Sequence, residues 1–506
     1  MMAWLSSAVR DAAVKALESI SGRVHPRMID LYGRAVQQDA RTRNPLIVIP
    51  GVMGTRLKDR ASGRPLWGGD YKSGFADPGD EEQMRGVTVP MELGTPLESL
   101  VGSADPDGTI DALRVNVAGL PVQVSAYASL LRVLGAGGYW AADRRDERAW
   151  NFLNYGPESL TTSFQFDYDW RLTVPENARR LGRLVEQVIA FASSETGCSR
   201  PMKVDVVAHS LGGLVLRWYL RYGGQGSSGQ QGERPELTWE GASKVEHAIM
   251  IATPNAGSVR VMEKLLRGLP ASPAMPAYDP AYLGTMPGLY QLMPRVRHGQ
   301  ALHGGEVLDD LYTSERWAQM GWGLASPRAD GVLRQLLPGR GQADRRRTAL
   351  EHLDKCLLEA ERVHAALDVA AEPPAGVVKH LFAGDGAATH QAAELTDKRP
   401  YYRVVAKGNG DRTVLRSSAL MDERASIDPN YPRLLTPIRW DSVMFLPTDH
   451  LGLTSHPIFV NNVLYVLLEK PRPDCDFRLP PVVIPPRRGV GMSRNAGGER
   501  GGAEAR

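Results

Sequence analysis

The fold is decided by the stretch Val204-Asp205-Val206-Val207-Ala208-His209-Ser210-Leu211-Gly212-Gly213-Leu214-Val215. Its first part is an apolar run typical of a buried strand, and its last part has the apolar spacing of a helix. Ser210 lies at the junction, as in a nucleophile elbow, with Ala208 in place of the usual first glycine. A helix that begins there directs N–H groups at a reacting oxygen, so we predict that Ser210 is a nucleophile. The alternative is an ordinary turn whose serine caps the helix.

Composition excludes several functional classes. The chain has 506 residues, of which 42% are hydrophobic and 23% charged, as in a globular protein. The formal net charge of +3 does not indicate binding to nucleic acid. Cys198, Cys356 and Cys475 are too widely spaced to indicate a metal site or a disulfide framework. The sequence contains no apolar run of the about 18 residues that predict a transmembrane helix.

The order of apolar runs predicts the domain organisation. Strands are predicted at 46–49, 163–166, 203–208, 247–252, 377–382 and 442–446. Strands that alternate with helices indicate a mostly parallel, doubly wound α/β sheet. The predicted parts are an amphipathic helical segment (1–42), a first core part (43–255, with an insertion at about 55–122), a cap or lid (256–372), a second core part (373–470) and a disordered tail (471–506). We expect the insertion to be irregular and a helix over 122–134.

The N-terminal segment does not have the features of a signal peptide. Charged residues interrupt its apolar positions; they are Arg10, Asp11, Lys15 and Glu18. Residues 1–20 instead have the pattern of an amphipathic helix, which we expect to pack on the domain. The alternative is a transient contact with a membrane surface. The predicted location is therefore cytoplasmic, with a peripheral membrane position as the alternative.

A serine nucleophile needs a base, and an acid that orients the base. In this type of fold they follow in the order Ser, Asp or Glu, then His. His450 comes just after the predicted strand 442–446, and we predict that it is the base. His456 precedes a predicted helix and is the weaker candidate, while His209 is expected to point away from the site. Two aspartates in glycine-rich loops remain open as the acid; they are Asp385 and Asp411.

The oxyanion hole needs two backbone donors. One is expected to be the N–H of Leu211, directly after the nucleophile. The other is expected from Val52, in the turn after the strand 46–49, where Gly51 permits a close approach of the backbone. The alternative is that residues 50–54 simply form a tight turn.

Five segments resemble the lecithin:cholesterol acyltransferase and lysosomal phospholipase family of α/β hydrolases, including its bacterial lipase-like members. They are Val48-Ile49-Pro50-Gly51-Val52-Met53-Gly54-Thr55-Arg56-Leu57, Tyr168-Asp169-Trp170-Arg171-Leu172, Ala208-His209-Ser210-Leu211-Gly212, Ala252-Thr253-Pro254-Asn255-Ala256-Gly257-Ser258, and Gly410-Asp411-Arg412-Thr413-Val414 followed by His450-Leu451. The resemblance implies the α/β-hydrolase fold, selects Asp411 as the acid and supports His450, Val52 and Leu211. Unlike the eukaryotic members, the chain has no cysteine in residues 55–122.

These features predict a serine hydrolase that cleaves carboxylic esters of lipids through an acyl-enzyme on Ser210, without a metal or organic cofactor. The alternatives are a lipid O-acyltransferase, a non-catalytic relative that binds a lipid or a partner, and an amide hydrolase. Asp169 and Arg171 are predicted to brace a loop as an ion pair. Apolar residues of the cap are predicted to line an acyl pocket or to form its core; they are Met275, Met286, Leu289, Tyr290, Leu292 and Met293.

Overall fold

The computed structural model describes residues 43–68, 74–110, 112–117, 120–125, 127, 130, 162–196, 202–227, 234–272, 275–425 and 433–469. The predicted N-terminal helical segment and the predicted tail lie outside these residues. Among the helices of the described part, none has the length and apolar character needed to cross a membrane.

The strands follow one another in chain order. They are β1 (Leu46–Ile49), β2 (Thr55–Asp59), β3 (Pro65–Trp67), β4 (Ala104–Thr109), β5 (Ala112–Val117), β6 (Leu120–Ser125), β7 (Ser163–Gln165), β8 (Val204–His209), β9 (Val245–Ile251), β10 (Gln300–His303), β11 (Glu306–Val307), β12 (Val378–Gly384), β13 (Ala387–Leu395), β14 (Tyr402–Gly410), β15 (Glu423–Ala425), β16 (Arg433–Leu435) and β17 (Ser442–Leu446).

The α-helices are α1 (Glu81–Val87), α2 (Val174–Thr196), α3 (Leu211–Tyr222), α4 (Val259–Arg267), α5 (Pro280–Leu283), α6 (Pro287–Tyr290), α7 (Ser314–Met320), α8 (Asp330–Leu336), α9 (Gln342–Leu367), α10 (Arg416–Leu420) and α11 (Pro457–Leu464). The short helices α5 to α8 and the long helix α9 fall in the segment that the sequence predicts as a cap.

The main sheet contains all six predicted strands. Its order is β17-β12-β9-β8-β1-β7, and every neighbouring pair is parallel. Each face is covered by a separate core: Ile47 and Ile49 of β1 pack in one, and Leu46 and Val48 pack in the other. Strands buried on both faces have near-continuous apolar sequences, as β1 does. The predicted α/β-hydrolase fold, with its mostly parallel, doubly wound sheet, is confirmed.

The region between β1 and β7 contains regular structure that the sequence did not predict. Strands β2, β3 and β4 form a three-stranded sheet, and β5 pairs with β6. The helix predicted over 122–134 is wrong at its start, because Val122 pairs with Val115 in an antiparallel ladder. Alternate apolar residues at 120, 122 and 124 suit a strand, but a short apolar run does not by itself separate strand from helix.

A second sheet joins the cap segment to the chain after β12. Its order is β11-β10-β13-β14, and β10 runs parallel to β13. Strands β13 and β14 form an antiparallel hairpin. Residues 387–414, the hairpin and the loop that follows it, are called the hairpin arm below. The arm leaves the main sheet after β12 and returns the chain to the carboxyl ends of the main strands, where sites in this class of fold lie.

Candidate active site

Ser210 lies on the sharp turn between β8 and α3. Its backbone has φ 52° and ψ −122°, a conformation that is strained for a residue with a side chain. The turn is held by the Ser210 N–H, which donates to Ile251 O of the neighbouring strand at 2.8 Å. Only 5% of Ser210 is exposed. This geometry is that of the predicted nucleophile elbow, and it does not fit the cap alternative, because the Ser210 side chain makes no capping hydrogen bond.

Small residues permit the elbow. A Cβ atom on Gly212 would lie 2.6 Å from Pro50 O and 2.7 Å from the Ile49 side chain. On Gly213 it would lie 1.9 Å from Thr253 Oγ1, and on Gly51 it would lie 2.9 Å from Ser210 Cβ. The elbow and its helix α3 therefore lie closer to the turn after β1 and to Thr253 than a side chain at Gly51, Gly212 or Gly213 would allow.

The structure brings the three predicted residues together. Nε2 of His450 lies 3.0 Å from Ser210 Oγ. Nδ1 of the same ring lies 2.8 Å from Asp411 Oδ2. Both distances are normal for hydrogen bonds. A single imidazole thus bridges a hydroxyl and a carboxylate that are 201 residues apart in the sequence.

Asp411 is buried and held on several sides. Its Oδ1 accepts from the backbone N–H of Thr413 at 2.9 Å and of Val414 at 2.6 Å, and its backbone carbonyl accepts from His450 N at 3.0 Å. These hydrogen bonds fix the orientation of the carboxylate toward His450. Gly384, the last residue of β12, makes room for it, because a Cβ there would lie 2.6 Å from Asp411 Cβ.

The other candidate residues have different positions. Asp385 directly follows β12, and it forms an ion pair with Arg416 at 2.8 Å. It makes none of the contacts found between Ser210, His450 and Asp411. His456 caps α11, where its side chain accepts from the N–H of Ile458, as the sequence predicted for a residue at a helix start.

The two predicted oxyanion donors lie beside Ser210 in the chain or in space. Leu211 begins α3, and Val52 follows Gly51, which is packed against Ser210. Within the described residues, no acceptor is found for the N–H of either Leu211 or Val52. Both groups are thus available to a ligand oxygen.

His209 was expected to point away from the site, yet it contacts the base. Its ring lies 4.9 Å from the His450 ring, centroid to centroid, and its Nε2 lies 3.2 Å from the His450 carbonyl oxygen. On the other side, Nδ1 lies 2.7 Å from the Tyr127 hydroxyl. Burial, with repulsion from His450, lowers the pKa of His209 to about 3, so its imidazole is neutral. The sequence carried no signal for these contacts, because Tyr127 lies 82 residues before His209.

Asp169 and Arg171 form a buried bidentate ion pair, with N–O distances of 2.8 and 2.7 Å. The Arg171 guanidinium also donates to the carbonyls of Gly86 and Thr88. The pair therefore fixes the turn after β7 against the region that contains α1, a bracing role that agrees with the prediction.

The apolar residues of the cap lie in its interior. Met286, Leu289, Tyr290, Leu292 and Met293 are all buried within the larger hydrophobic core, and Met275 packs against that core. Of the two alternatives for these residues, the structure supports the cap core.

The segment after β9 anchors the hairpin arm. The Ser258 hydroxyl donates to the carbonyl of Thr413. Asn255 accepts from Arg217 at 3.0 Å and donates to Ala419 O at 2.6 Å. The segment after β9 thus contacts α3 through Arg217 and the loop of Asp411 through Thr413.

Residues 147–294 match the family model described as lecithin:cholesterol acyltransferase. The family resemblance is confirmed. The matched range includes Ser210, Asp169 with Arg171, and the segment after β9. It ends before Asp411 and His450, so the proposed roles of these two residues depend on the geometry above. No curated protein matches the sequence.

Two solved structures resemble the chain at low identity. The crystal structure of a Tle4–Tli4 complex contains a chain 16% identical, with a TM-score of 0.49, and the match covers 84% of this chain and 98% of that one. Phospholipase PlaB from Legionella pneumophila is 15% identical, with a TM-score of 0.29, and the match covers 69% of this chain and 57% of that one. At such values a shared substrate does not follow.

Proposed function

We propose that this protein is a serine hydrolase that cleaves carboxylic esters of lipids. The observation that carries the proposal is the continuous contact from Ser210 Oγ through His450 to Asp411, at 3.0 and 2.8 Å. A serine hydroxyl is a weak nucleophile unless an adjacent base takes its proton. The elbow geometry and the family match support the same reaction class.

The proposed reaction has two half-reactions. Ser210 Oγ attacks the ester carbonyl carbon while its proton moves to His450 Nε2, and the N–H groups of Val52 and Leu211 hold the oxyanion. As the intermediate collapses, the bond to the leaving alcohol breaks, and Nε2 returns the proton to that oxygen. Water then attacks the acyl-enzyme by the same proton path and releases the acid. Asp411 keeps the imidazole oriented and stabilises its charged form.

The proposed substrate is a lipid ester. The support is the matched family, whose description names lecithin and cholesterol acyl transfer. The same match favours one second candidate, in which a lipid alcohol replaces water in the second half-reaction. Product analysis separates the two: with a long-chain alcohol present, hydrolysis releases free acid, whereas transfer yields a new ester.

The test is a series of p-nitrophenyl esters from short to long acyl chains. We expect activity to rise toward long chains in the wild-type protein and to be lost in Ser210→Ala. Ser243→Ala is the matched control, because the exposed Ser243 hydroxyl donates only to Glu240 O within the described residues. A folded wild-type protein that hydrolyses no ester and does not react with a fluorophosphonate would overturn the proposal and favour a binding role.

A further inference from the structure

A chain of hydrogen bonds runs behind Ser210. It begins at Gly51, where the backbone N–H lies 2.7 Å from the Tyr127 hydroxyl oxygen. It continues from that hydroxyl to His209 Nδ1 at 2.7 Å and from His209 Nε2 to the His450 carbonyl at 3.2 Å. Tyr127 is 3% exposed and His209 is 2% exposed, so the two bonds of the Tyr127 hydroxyl are buried, whereas the bond to His450 is partly buried.

Only one arrangement of protons satisfies the whole chain. Because a backbone N–H can only donate, the Tyr127 oxygen accepts from Gly51 and gives its own proton to His209 Nδ1. Nδ1 is therefore unprotonated, and the single proton of the neutral ring is on Nε2. That proton points at the His450 carbonyl, which can only accept. Burial raises the pKa of Tyr127 and lowers that of His209, so neither residue changes its charge in the range where an esterase is assayed.

The two ends of the chain are the two parts that the proposed reaction must align. Gly51 precedes Val52, the proposed oxyanion donor, and His450 is the proposed base. The elbow positions Ser210 and packs against the turn after β1, but it does not hold His450. Without this link, the turn after β1 and the loop after β17 would be aligned by separate sets of contacts.

We propose that Tyr127 and His209 are positioning residues that hold the oxyanion turn and the base in one fixed relation across the nucleophile. This inference rests on the proposed function, because it names what orients the residues of that reaction. It goes beyond the proposed function, because neither Tyr127 nor His209 has a role in the proposed proton path. His450 is then fixed at three places: its N–H and its Nδ1 by Asp411, and its carbonyl by His209.

The variants remove or restore single links. His209→Phe keeps the ring but removes both nitrogens. His209→Gln places an amide N–H where Nε2 was and restores the bond to His450, whereas His209→Asn reaches only as far as Nδ1 did. Tyr127→Phe removes one buried hydroxyl. Tyr222→Phe is its matched control, because this buried hydroxyl donates at 2.7 Å to Ala366 O, remote in sequence from the site.

The readout is kcat per active site, where the sites are counted by fluorophosphonate labelling. A shift of about 1 Å in a reacting group lowers rates by about 100-fold, so we expect kcat to fall about 10- to 100-fold in Tyr127→Phe and His209→Phe. KM is expected to change less than about 2-fold, because a loss confined to the orientation of the reacting groups lowers kcat rather than substrate binding. His209→Gln should recover part of the loss, because it restores the bond to His450 but leaves the bond to Tyr127 broken. His209→Asn should not, because it does not reach the His450 carbonyl. In the His209→Gln background Tyr127→Phe should cost little, because the chain is already interrupted.

The outcomes separate the two levels of the proposal. A wild-type protein that neither hydrolyses esters nor labels overturns the proposed function, and the positioning role of Tyr127 and His209 falls with it. A wild-type protein that is active, with Tyr127→Phe and His209→Phe unchanged in kcat per labelled site, overturns the positioning role alone. That role is also overturned if His209→Gln is as impaired as His209→Phe, or if Tyr222→Phe lowers kcat as much as Tyr127→Phe.

Discussion

The elbow around Ser210 and the hairpin arm that carries Asp411 deliver two residues of one site in different ways. The elbow is built from contiguous sequence: β8 and α3 are buried at every position. The arm is a hairpin in which most positions of β14 are exposed or half-buried, and its end is fixed by contacts with distant segments. A local motif therefore encodes the position of the proposed nucleophile, whereas the position of the proposed acid depends on the tertiary structure.

The largest effect is expected from exchanging the two candidate acids. In Asp411→Asn the imidazole loses the partner that orients it, and kcat should fall by about 1,000- to 10,000-fold. Asp385→Asn should lower kcat by less than about 3-fold, because it breaks only an ion pair with a half-exposed arginine. Ester hydrolysis by the two purified variants measures both values. Equal losses would show that the arm does not carry the acid.

A substitution in the elbow should lower the free energy of unfolding. In Gly212→Ala the new Cβ would meet the Pro50 carbonyl and the Ile49 side chain, and overpacking of this kind costs about 1–3 kcal/mol. We expect a loss of about 3 kcal/mol in the free energy of unfolding, because the Pro50 backbone cannot move aside easily. Gly331→Ala is the control: its Cβ would meet nothing within 4 Å, and alanine stabilises a helix by up to about 1 kcal/mol relative to glycine. Chemical denaturation of both variants gives the difference.

Low pH should lower the stability of the folded protein through His209. The pKa of His209 is lowered from 6.5 to about 3 by burial and by repulsion from His450. The unfolded chain therefore takes up a proton that the folded chain excludes, and stability is lost as the pH falls from 6.5 toward 3. His209→Gln removes this dependence on pH. The free energy of unfolding that the variant lacks relative to the wild type should therefore shrink by roughly 2 kcal/mol between pH 7 and pH 5. If the difference in the free energy of unfolding between the wild type and His209→Gln did not change with pH, His209 would not be neutral in the folded protein.

The smallest effect is expected in the arm. Thr389 is fully buried, and its hydroxyl accepts from Arg412 N at 2.9 Å. Thr389→Val keeps the shape but leaves that N–H without its acceptor, which costs about 1–3 kcal/mol when the group stays buried. Because Arg412 is exposed, we expect a loss of about 1 kcal/mol in the free energy of unfolding and a loss of kcat below about 10-fold. Denaturation and ester hydrolysis together test whether the arm tolerates this change.

The main sheet and the elbow that contains Ser210 were predictable because their signals are local. Most strands of that sheet have largely apolar sequences, and the elbow sequence is typical of a sharp turn between a strand and a helix. The proposed acid was not predictable from local signals, because Asp385 and Asp411 both follow glycines in loops. Only the family resemblance favoured Asp411. The physical reason is that β13 and β14 intervene between β12 and the loop of Asp411, and their pairing is a long-range property.

Two further features were beyond the reach of a single sequence. The helix expected over 122–134 begins as strand β6, because its partner β5 is what decides between the two structures. The contact of Tyr127 with His209 joins residues that are 82 positions apart, and no local residue pattern encodes such a contact. Both failures concern the same region between β1 and β7.

Every proposed role at this site depends on Ser210 as the nucleophile. This role can be tested by treating the folded protein with a fluorophosphonate and mapping the adduct by peptide mass spectrometry. We expect one adduct, on the peptide that contains Ser210, and none in Ser210→Ala. An adduct on another residue, or no adduct on a protein that still hydrolyses esters, would contradict it.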